Sequence, residues 1–242
     1  MKLYFIGTSH GVPEADRRCS CAMLEVNGVL YFVDMGTEVV SDIRRLGKKV
    51  EDVRAVFVTH PHNDHTDGLI NFASLCSWYY KTAETSVYFP KPGFEELIRG
   101  WIGVTESKGH DLKYFVYREG LVYSDENISV TAYKNKHACD SYSFIIEAEG
   151  KKLLFTGDIT SSKEQPQAVY EMAEKGERLE LAVCEAAHIS AETACGVYDE
   201  LKPKRLIFNH AAPHNYQAVE NAKKLPHPYE LRLSQDGMEL EF

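Results

Sequence analysis

Two hairpin signals, one in each half of the chain, constrain the fold most. Asn27-Gly28 lies between two apolar, strand-like runs, residues 21–26 and 29–34, and this dipeptide is the strongest short signal for a tight hairpin. Glu149-Gly150 lies between a second such pair of runs. Elsewhere, strand patterns alternate with helical ones. We therefore predict an α/β architecture in four layers: two mixed β-sheets packed together, with helices on the outer faces.

Length and composition favour one cytoplasmic domain spanning residues 1–242. A chain of 242 residues can bury a substantial core. Its apolar runs are strand-sized, too short for a membrane helix, and residues 1–15 lack the apolar stretch of a secretory signal. Six cysteines in such a chain indicate reduced thiols. The net charge of −9 disfavours indiscriminate nucleic-acid binding, for which a basic surface is expected.

The passage Thr59-His-Pro-His-Asn-Asp-His-Thr-Asp-Gly68 is the most informative part of the chain. By chance, its H-x-H-x-D-H pattern would occur in only about one in a thousand chains of this composition. The run follows a β-branched strand, residues 55–59, and we expect residues 60–67 to form a loop and residues 68–80 a helix. A rigid strand end can hold several imidazoles in a fixed fan, as a catalytic metal site requires.

The residue types in this run are those that bind borderline metal ions. Neutral imidazoles and carboxylates suit Zn²⁺ best, and Mn²⁺ and Fe²⁺ accept the same ligands. Four donors within six residues cannot converge on one tetrahedral ion without strain, so we predict two divalent ions. His137, Asp158 and His210 each follow a predicted strand, and we predict them as further ligands.

These residues stand in the order of a known motif set, and the chain resembles the metallo-β-lactamase superfamily nearly end to end. The resemblance implies an αββα sandwich. It implies that His60, His62 and His137 bind one ion, that Asp64, His65 and His210 bind the other, and that Asp158 bridges them. Asp34, in Phe32-Val-Asp-Met-Gly36, is then the carboxylate that orients a ligand imidazole.

Within the superfamily, the ends of the chain resemble RNase Z and the cyclic phosphodiesterase of phosphonate breakdown. The opening Phe5-Ile-Gly-Thr-Ser-His-Gly-Val-Pro13 is similar to both, and the ending Gln235-Asp-Gly-Met-Glu-Leu240 to the latter. His188 precedes His210 by 22 residues (210 − 188), the spacing of the catalytic histidine in RNase Z. The resemblance implies that Asp64 holds or deprotonates the attacking water and that His188 protonates the departing oxygen.

The departures from these relatives bear on the substrate. True β-lactamases typically have a cysteine ligand where this chain has Asp158, which disfavours antibiotic hydrolysis. Residues 75–125 offer no flexible, basic arm for tRNA. We therefore predict a small or short phosphodiester substrate, no tRNA and no membrane, with His10, Arg18 and His214 as candidate substrate contacts. A homodimer is an open alternative to a single subunit.

Other interpretations stay open. A thioester or lactone hydrolase similar to glyoxalase II would use the same ligands, and His188 would then matter little. A metal-binding accessory protein without turnover is a second rival. Trp78, Tyr79 and Tyr80 either line the site or belong to the core or an oligomer contact. Cys19 and Cys21 are either a metal clip or buried thiols, and the latter is the default.

Overall fold

Two seven-stranded mixed sheets form the framework of the computed structural model, which describes residues 1–107 and 109–242. In chain order, the strands are β1 (Lys2–Gly7), β2 (Cys21–Val26), β3 (Val29–Val33), β4 (Val53–Phe57), β5 (Ser86–Phe89), β6 (Lys113–Val116), β7 (Gly120–Ser124), β8 (Ile128–Asn135), β9 (Ser141–Ala148), β10 (Lys151–Phe155), β11 (Leu181–Ala186), β12 (Arg205–Ala211), β13 (Glu230–Leu233) and β14 (Met238–Glu241). The helices are α1 (Val40–Arg45), α2 (Asn63–Trp78), α3 (Phe94–Val104), α4 (Gln167–Glu174), α5 (Ala191–Leu201) and α6 (Pro213–Ala222), with a 3₁₀ turn at Val50–Asp52. In the described residues, no helix combines the length and apolarity needed to cross a membrane.

The chain divides into two compact units, each with one sheet. Unit 1 consists of Met1–Gly7, Gly11–Tyr117 and Asp236–Phe242, and unit 2 of Thr8–His10 and Arg118–Gln235. The strand order is β14-β1-β2-β3-β4-β5-β6 in unit 1 and β13-β12-β11-β10-β9-β8-β7 in unit 2. In both sheets an antiparallel portion continues into a parallel one. The prediction of two mixed sheets is confirmed.

Both predicted hairpins are present. Asn27 and Gly28 have φ angles of +52° and +81° and connect β2 to β3, whose residues pair in antiparallel register. Glu149 and Gly150 have φ angles of +49° and +71° and connect β9 to β10. Positive φ at both central residues gives the turn a twist that matches the flanking strands. Local chemistry therefore determines both turns.

Helices cover each sheet through apolar faces with helical spacing. In unit 1, α2 buries Leu69, Phe72, Ala73 and Cys76 in the core, the spacing of one helix face. In unit 2, α5 buries Ala191, Ala194, Cys195 and Tyr198 in the same pattern. Polar residues lie at the carboxyl ends of the parallel strands, beyond each apolar core, and this is the usual place for a site in such sheets.

Helix α2 begins earlier than predicted. The expected loop over residues 60–67 is shorter, because the helix starts at Asn63 instead of residue 68 and includes Asp64 and His65 in its first turn. Gly68, the first residue of the predicted helix, lies inside the observed one. A Cβ there would stand 1.8 Å from the Thr37 carbonyl oxygen, so this glycine serves a close backbone contact.

The second difference concerns β12, which continues through His210 instead of ending before it. The register with β11 pairs Glu185 with Asn209 and Ala186 with Ala211, so His210 is the additional residue of a bulge, with φ at +50°. A bulge redirects a side chain at the end of a strand. Helix α6 follows two residues later and starts at Pro213, because proline fits the first helical position.

Candidate metal-ligand groups

Four predicted ligands of unit 1 lie where β4 leads into α2, and we call them the unit 1 ligand group: His60, His62, Asp64 and His65. His60 is fully buried, and its Nε2 lies 3.0 Å from Nδ1 of His62. His65 Nε2 lies 3.2 Å from the Asp64 carboxylate, and the rings of His60 and His65 are 4.0 Å apart. The run therefore brings its donors together, as a metal site requires.

Asp34 contacts this group directly. It follows β3 with a φ of +59°, and its Oδ2 lies 2.7 Å from Nδ1 of His65. The amide of Thr59 donates to Oδ1 at 2.7 Å, and the Thr59 hydroxyl donates to Oδ2 at 2.9 Å. A carboxylate on Nδ1 fixes the ring orientation and leaves Nε2 as the ligand nitrogen. This is the contact that the predicted orienting role of Asp34 requires.

Two contacts that sequence reasoning missed hold the backbone around the group. The buried Tyr117 hydroxyl donates to the Val58 carbonyl at 2.7 Å, just before the ligand run. A Cβ on Gly36 would stand 1.8 Å from the Asp64 carbonyl oxygen, so only glycine allows the segment after Asp34 to approach α2 this closely. The contacts fix both ends of the unit 1 ligand group.

In unit 2, three imidazoles surround the buried carboxylate of Asp158. Its Oδ2 lies 3.5 Å from His210 Nε2, 3.6 Å from His188 Nδ1 and 3.9 Å from His137 Nε2. The four side chains come from separate places: the β8–β9 connection, the turn after β10, the turn after β11 and the bulge in β12. We call His137, Asp158 and His210 the unit 2 ligand group, with His188 beside it.

Glu185 is a residue of unit 2 that sequence reasoning missed. Its carboxylate is buried in β11 and accepts hydrogen bonds from the amides of Ala187 at 2.7 Å and His188 at 2.9 Å. Its Oε1 lies 3.3 Å from His188 Nδ1. The signal was present, since Glu185 is the one charge in the apolar strand Leu181–Ala186, three residues before His188. Buried carboxylates need such partners.

The donors fit divalent metal ions. Tetrahedral zinc with ligands about 2.1 Å away separates neighbouring donor atoms by roughly 3.4 Å. The three separations around Asp158 Oδ2 are close to this value and longer than ordinary hydrogen bonds. Ligand atoms of Asp158, His188 and His210 all lie within 4.8 Å of one another. The geometry thus admits His188 as a ligand as well as a proton donor.

The cysteines are less suited to metal binding. Cys19 and Cys21 are both buried, and burial, followed by nearby carboxylate charge, raises the pKa of each thiol. In the described residues, neither belongs to a group of three or more candidate ligands. Because metals bind the thiolate, a raised pKa agrees with the default of buried thiols.

The three candidate substrate contacts lie on different elements. The Arg18 guanidinium donates to the Asp42 carboxylate at 2.6 Å and to the Asp236 carboxylate at 3.2 Å. Arg18 therefore connects its loop to α1 and to the segment Asp236–Phe242. His10 is half-buried in the Thr8–His10 segment of unit 2. His214 is exposed in the first turn of α6. Substrate binding by these residues stays a prediction.

The aromatic cluster Trp78, Tyr79 and Tyr80 lies at the end of α2 opposite to the ligands. The helix runs from Asn63 to Trp78, and at 1.5 Å per residue it separates Trp78 from Asp64 by about 21 Å. Trp78 and Tyr79 are exposed and contact each other edge to face. This distance separates the cluster from the unit 1 ligand group.

Two mixed sheets with candidate His and Asp ligands at their strand ends define a member of the metallo-β-lactamase superfamily near its ribonuclease Z branch. The chain belongs to the family described as anti-Pycsar protein Apyc1, whose model matches residues 1–210.

Individual relatives agree with this assignment. Ribonuclease Z of Exiguobacterium sp. strain AT1b is 31% identical over 182 residues, covering 74% of this chain and 60% of the relative. The chain thus spans about three fifths of the length of the curated relatives it matches. Human tRNase Z, short form, has a TM-score of 0.77 at 20% identity, covering 100% of this chain and 99% of that structure. The metallo-β-lactamase fold protein YhfI of Bacillus subtilis has a TM-score of 0.76 at 17% identity, with the same coverage.

Proposed function

We propose that this protein is a metal-dependent phosphodiesterase acting on a small or short phosphodiester. In this proposal residues 1–242 form one hydrolase domain that holds two divalent ions, with Zn²⁺ preferred and Mn²⁺ or Fe²⁺ accepted. The ligands are His60, His62, Asp64, His65, His137, Asp158 and His210. Seven donors exceed what one four-coordinate ion accepts, and the family's ligand order assigns Asp158 to both ions.

The observation that carries the proposal is the surroundings of Asp158. Three imidazole nitrogens lie 3.5–3.9 Å from one carboxylate oxygen, and the Asp158 side chain is only 2% exposed. Ion pairs alone would bring one of the rings closer. A buried carboxylate with imidazoles at these distances is a favourable arrangement for sharing metal ions, since it provides negative charge with neutral nitrogen donors on several sides.

The chain's own residues divide the chemistry. Bound divalent ions would supply Lewis acidity and make a water more acidic. Asp64, next to His65 in the first turn of α2, holds the attacking water or accepts its proton. His188 protonates the departing oxygen: its Nδ1 faces the Glu185 carboxylate, while the side chain is 42% exposed and accessible to a substrate. A carboxylate on one nitrogen orients the imidazole for proton transfer at the other.

The ligand geometry also supports a second role for His188, as a metal ligand with Asp158 and His210. The two roles predict different outcomes. A ligand lost to alanine lowers metal content, whereas a proton donor lost to alanine leaves metal content unchanged and slows the reaction.

A phosphodiester is favoured over a thioester or lactone for two reasons. The relatives named ribonuclease Z and tRNase Z belong to the same superfamily, and a positioned acid beside the ligands suits an alkoxide leaving group. A small substrate is favoured because the chain carries a net charge of −9. The described part of residues 75–125 also forms α3 and β5–β7 where a tRNA-binding enzyme would need a flexible, basic arm.

We also infer a reducing, cytoplasmic location, since no described cysteine forms a disulfide. A homodimer remains compatible with the proposal.

A substrate panel tests the proposal. Zinc-loaded protein is assayed with bis(p-nitrophenyl) phosphate, a cyclic nucleotide, a thioester, a lactone and a β-lactam, and each assay is repeated after chelation. We expect the rate of phosphodiester hydrolysis to exceed the rates on the other substrates, to fall after chelation and to return when zinc is restored. Preference for the thioester or lactone would identify the glyoxalase-II-like rival. Full metal loading without turnover of any substrate would favour the accessory-protein alternative.

A further inference from the structure

The connection between β8 and β9 is built around a pair of buried polar residues. Asn135 ends β8 and Ser141 begins β9, and the two are register partners. The loop they enclose, residues 136–140, carries His137. The base of this hairpin is therefore the nearest regular structure from which the His137 side chain can be positioned.

The same two residues hold the Asp158 turn. The Asn135 amide donates to the Thr156 carbonyl at 2.7 Å and the Asp158 carbonyl at 3.3 Å. The Ser141 hydroxyl donates to the Asp158 carbonyl at 3.0 Å, and the Ser143 hydroxyl donates to the Thr156 carbonyl at 2.8 Å. Asn135, Ser141 and Ser143 are all buried. We call these three residues the clasp.

The clasp replaces hydrogen bonds that the sheet no longer provides. Strand β10 ends at Phe155, and Gly157, with φ at +56°, turns the chain away from it. The carbonyls of Thr156 and Asp158 thus leave the β-ladder in a buried place, where an unsatisfied carbonyl is costly. Side chains from the base of the neighbouring hairpin satisfy both.

We propose that the clasp positions the metal ligands of unit 2 by fixing His137 and Asp158 relative to each other. One residue pair, Asn135 and Ser141, bounds the His137 loop and binds the backbone of Asp158, so movement of either ligand must disturb the same hydrogen bonds. The clasp residues are positioning residues and contact no reacting atom. The inference rests on the proposed function, because it assumes that His137 and Asp158 bind metal.

Two substitutions weaken the clasp in different ways. Ser141→Ala removes the hydroxyl that donates to the Asp158 carbonyl and accepts from the Asn135 amide at 3.4 Å. It leaves the hydrogen bonds from Asn135 and Ser143 to the Asp158 turn. Asn135→Asp keeps the side-chain shape but replaces the amide donor with a carboxylate oxygen that faces two carbonyl oxygens. The matched control is Ser77→Ala, since Ser77 is also buried and donates to a backbone carbonyl, that of Ser74, at 2.7 Å. Ser77 lies near the end of α2 remote from the ligands.

The measurement is zinc affinity, determined by competition with a chromophoric chelator, alongside the thermal stability of the metal-free proteins. We expect Ser141→Ala to bind zinc roughly 10-fold more weakly and Asn135→Asp up to about 100-fold more weakly, the range for residues that support metal ligands. Ser77→Ala should bind like the wild type even where its melting temperature changes. If Asn135→Asp does not fold, Ser141→Ala alone decides.

The outcomes separate the two proposals. Wild-type zinc affinity in Ser141→Ala, or an equal loss in Ser77→Ala, overturns the positioning role of the clasp and leaves the proposed function standing. A wild-type protein that binds no zinc overturns both.

Discussion

The two ligand groups differ in how the chain assembles them. In unit 1, four candidate ligands lie within six residues, and β4 followed by the first turn of α2 presents them together. In unit 2, His137 lies in the β8–β9 loop, Asp158 in the turn after β10 and His210 in the bulge of β12, and each depends on the sheet to reach the others. The local secondary structure determines the geometry of a contiguous motif, whereas the tertiary fold determines the geometry of a dispersed group.

The supporting contacts differ accordingly. In the unit 1 ligand group, one carboxylate contacts a candidate ligand directly, since Asp34 binds both His65 and Thr59. The clasp holds the unit 2 ligand group through backbone carbonyls. Glu185 holds the adjacent His188 loop through backbone amides. We infer that the first arrangement sets the orientation of one imidazole, and the second sets the positions of whole loops.

The comparison predicts its largest single-residue effect on rate at His188. His188→Ala should keep fold and metal content yet lose roughly 10²–10⁴ in rate on a phosphodiester with an alkoxide leaving group, the usual contribution of a positioned acid. The loss should shrink for p-nitrophenolate, which departs without a proton. Steady-state rates on both leaving groups, with metal content measured on the same samples, provide the test.

An equal loss for both leaving groups would make His188 a substrate-positioning residue. A fall in metal content would make it a ligand, in agreement with its place near Asp158 and His210.

A moderate effect is expected at Asp34, on zinc affinity. Asp34→Asn removes the negative charge from His65 Nδ1 and should weaken zinc binding roughly 10–100-fold. Asp42→Asn is the control, because Asp42 is a buried carboxylate of the same unit that pairs with Arg18 and Arg45. It should lower stability and leave zinc affinity unchanged. Equal affinity losses in the two variants would mean that Asp34 supports unit 1 in general and not the ligand.

The smallest effect is expected at the far end of α2. Trp78→Ala should leave both zinc affinity and rate unchanged, because the helix places Trp78 about 21 Å from Asp64. Because about half of its side chain is buried, the unfolding free energy should fall by about 1 kcal/mol. Chelator competition, initial rates and denaturant unfolding check the three quantities. A marked rise in KM for the Trp78 variant would instead connect the cluster to substrate binding.

The same comparison explains what could be predicted from sequence. The hairpin at Asn27-Gly28 and the run from His60 to His65 are local patterns, and both are present as elements of the fold. The predicted start of α2 was wrong because the polar residues 60–67 resemble a loop, although Gly68 lies inside the helix and serves a contact with Thr37. That contact joins residues distant in sequence, so no local pattern indicates it.

Unit 2 shows more clearly which features local sequence patterns do not determine. His210 could be identified as a candidate, but its place in a bulge depends on the register with β11. Glu185 and the clasp were missed because their partners lie elsewhere in the chain: Ser141 is 17 residues from Asp158, and Asn135 is 21 residues from Thr156. Buried serine and asparagine in a strand carry no specific signal until the strands are paired.

Metal content tests the central claim most directly. Protein purified without chelator and reconstituted with zinc is analysed for metal per chain, together with Asp158→Ala, which removes the carboxylate central to the unit 2 ligand group. The account predicts two zinc ions per wild-type chain and loss at both positions in Asp158→Ala, with folding retained by circular dichroism. A wild-type content that stays at or below about one ion per chain after reconstitution, or an Asp158→Ala variant with full occupancy, would contradict it.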